Sequence, residues 1–176
     1  MRYTATLLAL AVACGRRAPS PPPPPAPPPL EREQRVVLPP RNSPGALTQA
    51  ERDSLLREVA ARRDAWRARG IGDYRIQVAV GCFCPWPSNP AILEVRRGVA
   101  VALWDTAGKS MGKPREPWSR YTVEGLFDAV EESAKGVDVL EVAYDREYGY
   151  PAIIRGDGRL GLPDNWFWVK ASRLTP

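Results

Sequence analysis

Two stretches of the chain repeat apolar residues at helical spacing. In LTQAERDSLLREVAARRDAWRARG (residues 47–70), Leu55, Val59 and Trp66 share one stripe with Leu56 beside it. Thr48 and Glu51 have the spacing of a capping box, and Gly70 is a C-terminal stop, so an amphipathic helix is predicted. In YTVEGLFDAVEESAKG (121–136), Val123, Leu126, Phe127, Val130 and Ala134 make a second stripe, with Thr122 as N-cap and Gly136 at the end. Other stretches alternate with a period of two. DYRIQVAVGCFC (73–84) sends Tyr74, Ile76, Val78, Val80, Cys82 and Cys84 to one face and Arg75, Gln77, Ala79, Gly81 and Phe83 to the other, as in a half-buried strand. AILEVRRGVAVALWD (91–105) predicts a hairpin turning at Arg97-Gly98. VDVLEVAYD, AIIRG and NWFWVKASRL predict three later strands, and residues 106–120 a loop. The order is helix, three strands, helix, three strands, with no βαβ alternation. The predicted fold class is α+β, an antiparallel sheet of about five to six strands with two helices packed on one face.

Composition divides the chain near Pro44. Twelve of its 20 prolines fall in residues 1–44, a segment unsuited to packing. The net charge of +5 divides at the same place: residues 1–44 hold six Lys/Arg and two Asp/Glu, residues 45–176 hold 19 and 18. The body is therefore close to neutral, which speaks against a nucleic-acid partner despite a pI near 9.4. The chain contains no histidine, which excludes hydrolases built on a histidine base.

The opening MRYTATLLALAVACGRR has a short positive start, an apolar run too short to span a bilayer, and small residues Ala11 and Ala13 before Cys14. LAVAC resembles a bacterial lipobox, in which the cysteine becomes the lipidated first residue. The expectation is a lipoprotein signal peptide over 1–13, then a lipid anchor at Cys14 and a proline-rich tether over 14–44, then one domain over 45–176. The run PSPPPPPAPPP favours polyproline II, so residues 19–29 make a semi-rigid spacer of about 30 Å. Arg16 and Arg17 beside the anchor suit anionic lipid.

Three clusters carry candidate chemistry. Cys82 and Cys84 are one residue apart, and alternate strand residues lie about 6.6 Å apart, near the upper limit for a disulfide. Gly81 and Pro85 provide the bend that closes one. The residues favour a structural clip, because both sulfurs fall on the apolar face and nothing activates a thiol. A redox-active pair and a soft-metal site, with Met111 as a third ligand for copper(I), are the alternatives. In YDREYGYP, Asp145, Glu147, Tyr148 and Tyr150 crowd one turn; they suit either a ligand site or a turn in which Asp145 caps, Gly149 takes a special angle and the tyrosines pack. In NWFWV, Trp166 and Trp168 either face outward as a binding patch or lie beneath the first helix. The basic loop KSMGKPREPWSR suits acidic partners or plain solvation.

The words DYRIQVAVGCFCP, EVRRGVAVAL, YTVEGLFDAVEESA and LEVAYDREYGYP occur in this order. Over residues 60–155 they resemble the DUF6174 family, small secreted or lipid-anchored bacterial domains of unknown function. The resemblance implies a fold and a location but no activity. The turn at Arg97 lacks the aspartate expected of the family, and DNWFWVKASRL fits its pattern less well. The combined expectation is a lipoprotein of the bacterial cell envelope, facing the periplasm or the cell surface. It acts as a non-catalytic binding or interaction module with no catalytic residue, cofactor or metal. Its partners are the membrane, through the anchor, and an envelope protein or small ligand. The candidate binding residues are Asp145, Tyr148, Tyr150, Trp166 and Trp168. The alternative is a thiol–disulfide redox or soft-metal protein using Cys82 and Cys84.

Overall fold

Helix α1 (Gln49–Ala68) starts where its caps start it. The Thr48 hydroxyl accepts from the Glu51 amide, and the Glu51 carboxylate accepts from the Thr48 amide at 2.8 Å. Gly70, at φ +66°, takes the left-handed turn that ends the helix. The structure, a computed structural model, describes residues 45–84, 89–160, 162 and 164–176. The expected signal peptide, Cys14 and the tether lie outside the described residues. Helix α2 (Val123–Gly136) is capped by Thr122, whose hydroxyl accepts from the Gly125 amide at 3.2 Å. Its buried residues are Val123, Leu126, Phe127, Val130 and Ala134, the stripe read from periodicity. Gly125 passes so close to the Arg120 carbonyl that a Cβ there would strike it.

The strands are β1 (Tyr74–Cys82), β2 (Ala91–Arg96), β3 (Val99–Asp105), β4 (Ser110–Gly112), β5 (Val139–Tyr144), β6 (Pro151–Asp157) and β7 (Trp166–Thr175). They form one antiparallel sheet in the order β4-β3-β2-β1-β7-β6-β5. This is an α+β fold with seven strands, above the expected five to six. The additional strand is β4, inside the stretch read as a loop over 106–120. It is three residues long and exposed throughout, so no alternation marks it. The β2–β3 turn has positive φ at both Arg97 and Gly98, as a two-residue hairpin requires.

Both helices lie on one face. Tyr74, Ile76, Val78 and Val80 of β1, Leu93 and Val95 of β2, Ile154 of β6 and Val169 of β7 join Val59, Trp66, Leu126 and Phe127 in a single core. Each such side chain, fully buried, stabilises by about 1.5–3 kcal/mol relative to exposure. Trp66 meets Tyr74 edge-on at 5.7 Å. The Tyr74 hydroxyl accepts from the Val123 amide at 2.8 Å, tying the start of α2 to the sheet. Burial pushes the Tyr74 phenol up to about 12. Arg63 of α1 pairs with Glu124, Asp128 and Glu131 of α2, and Arg67 with Glu124, clamping the two helices.

Candidate functional site

Strand alternation places a second set of side chains on the sheet face that no described helix covers. On β1 these are Arg75, Gln77, Ala79 and Gly81, paired in register with Glu94 and Ile92 of β2 on one side and with Ser172, Lys170 and Trp168 of β7 on the other. Ile92 in turn pairs with Trp104 of β3. One charged node sits on this face, toward the β2–β3 turn. The Glu94 carboxylate accepts from Arg96 at 2.8 Å, from Arg75 at 3.3 Å and from the Trp104 indole N–H at 3.3 Å. The Arg75 guanidinium lies 6.0 Å from the Trp104 ring centroid. Burial raises the Glu94 pKa, but the Arg96 hydrogen bond and the Arg75 and Arg96 charges outweigh it and leave the carboxyl below its ordinary value. Periodicity alone could not find this node. Glu94 and Arg96 alternate on one strand and are legible, but Arg75 and Trp104 join them only through the register of three strands.

The second cluster lies where β1 ends and β7 begins. Cys82 and Cys84 form a disulfide with Cα atoms 5.2 Å apart. Cys82 packs partly against the core, and Phe83 between them is 75% exposed. Met111 stands on β4, three strands from β1 in the sheet order, so the sheet does not bring it to the cysteines. Among the described residues no group of three or more Cys, Asp or Glu side chains is placed to hold a metal ion. Val169 faces the core and Trp168 faces the helix-free side, where its indole lies over Gly81; a Cβ on Gly81 would strike that ring. Trp166 is 47% exposed. Neither tryptophan lies beneath α1.

The YDREYGYP turn is internally satisfied. Asp145 is buried and accepts from the Glu147 and Tyr148 amides at 2.9 and 2.7 Å, and Gly149 sits at φ +78°. Tyr150 is 1% exposed, and burial raises its pKa, with the Leu174 backbone hydrogen-bonding its hydroxyl. Tyr148 is half-buried with Arg69 of α1 stacked 5.7 Å from its ring. These contacts hold the turn together. In the basic loop, Pro114 and Trp118 are buried, and Arg120 pairs with Glu116 at 3.4 Å.

The arrangement gathers aromatic, aliphatic and charged side chains on one face of the sheet. Among the described residues no helix is long and apolar enough to cross a membrane. No curated protein and no solved structure matches the chain. The model of a family of unknown function, DUF6174, matches residues 58–176, which span α1 from its second half through β7. The chain belongs to the DUF6174 family.

Proposed function

We propose that the chain is a non-catalytic binding module, held at the cell envelope by a lipid on Cys14, and that its partner binds the helix-free sheet face. The observation that carries this reading is that face itself. It places Trp104, Trp168, Ile92 and Ile153 among Arg75, Glu94 and Lys170 on a seven-stranded sheet, with no described helix over them. An antiparallel sheet facing water is ordinarily polar on that side. Tryptophan and arginine are the residues enriched where partners dock. The partner is an envelope protein or a small ligand. The disulfide serves the fold at the end of β1 and takes no part in electron transfer.

A photo-crosslinking side chain tests the surface. Placed at Ile92 or Lys170 in the cell, it gives a discrete adduct; placed at Arg57 or Glu132, on the outer side of the helices, it gives none. Equal adducts from both sides would overturn the assignment. Palmitate labelling tests the anchor: it disappears in Cys14→Ser, and its persistence would remove the anchor. Alkylation with mass spectrometry tests the disulfide, which stays closed under mild reductant in the folded chain; ready opening would restore the thiol reading.

A further inference from the structure

Of the exposed large apolar side chains among the described residues, four stand at one end of the sheet, while Met111 is on the edge strand β4. Among the described residues, Phe83 is 75% exposed, Leu160 43%, Leu162 50% and Trp166 47%. The β1–β7 ladder explains the juxtaposition. The β1–β7 pairing ends at Cys82 with Phe167, and Phe83 and Trp166 are the next residues of the two chains at that end. Leu160 and Leu162 sit in the β6–β7 connection, whose base closes through the Gly158 amide donating to the Asn165 carbonyl at 2.9 Å. Val99 and Val101 lie toward the other end of the sheet, at the β2–β3 turn.

The leader reaches the domain at this same end. The Leu47 amide donates to the Asp138 carbonyl at 2.6 Å, just before β5. The Asp138 amide donates to the Asp157 carbonyl at 3.1 Å, and its carboxylate accepts from the Leu160 amide at 2.9 Å. The segment that carries Cys14 therefore joins the fold beside the apolar end.

From these two observations we propose that this end, Phe83 with Leu160, Leu162 and Trp166, inserts into the interfacial layer of a lipid bilayer. The proposal rests on the anchored reading of the chain. Tryptophan, phenylalanine and leucine are the side chains that partition to that layer. The tether raises the effective concentration of the domain at the surface, so a small apolar contact suffices. Residues 30–44 span about 50 Å when extended, enough to bring the domain back past the proline run. Phe83 stands between the two bridged cysteines. Charges near this end are of both signs, Arg155 and Arg159 with Asp157 and Asp164, so insertion is apolar and depends little on salt.

The test separates docking from anchoring. In the chain carrying Cys14→Ser, a hexahistidine tag replaces residues 1–13 and holds it on vesicles of phosphatidylcholine with a small share of nickel-chelating lipid. Brominated acyl chains quench tryptophan fluorescence at close range. A quenched component is expected that Trp166→Phe removes and that Phe83→Ser with Leu160→Ser lowers at least threefold. Val99→Ser with Val101→Ser leaves it unchanged, and so does moderate salt. Absence of a Trp166-dependent component would overturn the proposal while leaving the anchor to the palmitate experiment. A shift to dimer in sedimentation velocity without vesicles, abolished by Phe83→Ser, would overturn it in favour of a second copy of the chain.

Discussion

Gly81 is the residue at which the two clusters touch. It leaves room for the Trp168 indole on the helix-free face, one position before the disulfide. Gly81→Ala should displace that ring bodily, because the added Cβ meets the middle of the indole at Cε2 and Nε1. The expected cost is about 1–3 kcal/mol, the usual range for overpacking, with a red shift in tryptophan emission; an unchanged urea midpoint and spectrum would contradict it. Glu94 makes a prediction about pH. Its folded pKa is depressed below 4.5, so its contribution is fully present above that ordinary value and is lost as pH falls from there through the lower folded pKa. Asp73 acts in the same direction, held low chiefly by the Arg97 amide at 2.7 Å. The urea midpoint should drop as pH falls below about 5, and Glu94→Gln should flatten that drop; parallel curves would contradict it. At this scale the sequence was partly readable. Alternation left Trp166 open between an outward aspect and a place beneath α1, because it does not say which sheet face the helices cover. The burial of Tyr150 was not legible, because a turn has no period from which to infer a face.

The helices were legible element by element because their signals are local. Capping residues, stripe and stop all lie within the segment that folds, and α1 and α2 start at the predicted caps. The cap is also testable: Thr48→Ala removes one partner of the capping box and should cost about 1 kcal/mol, read as a lower thermal midpoint, whereas no change would mean the start of α1 is held from elsewhere. Strands were legible where one face is buried, as in β1. They were illegible where neither is, as in β4, whose three residues are all exposed. Strand β7 shows a further limit on periodicity. Its pairing with β1 shifts between Arg75 and Gln77, and Arg173 takes φ +56° there, so Leu174 returns to the core out of simple alternation.

As a whole, the molecule is two helix-then-meander units sharing one sheet. Helix α1 leads into β1–β4 and α2 into β5–β7, and the units join through β1 and β7. Both helices fall on one side, which buries one sheet face and leaves the other to water or to a partner. That asymmetry follows from topology and could be anticipated from the order of elements; the residues it gathers, Trp104 with Arg75 and Glu94, could not, because they are far apart in the chain. Hydroxyl-radical footprinting of the full chain, in native envelope vesicles against detergent extract, tests the central claim most directly. The account predicts that oxidation of Trp104 and Ile92 is suppressed in the envelope while that of exposed helix positions such as Arg57 is not. Equal oxidation of Trp104 and Ile92 in both preparations would contradict it.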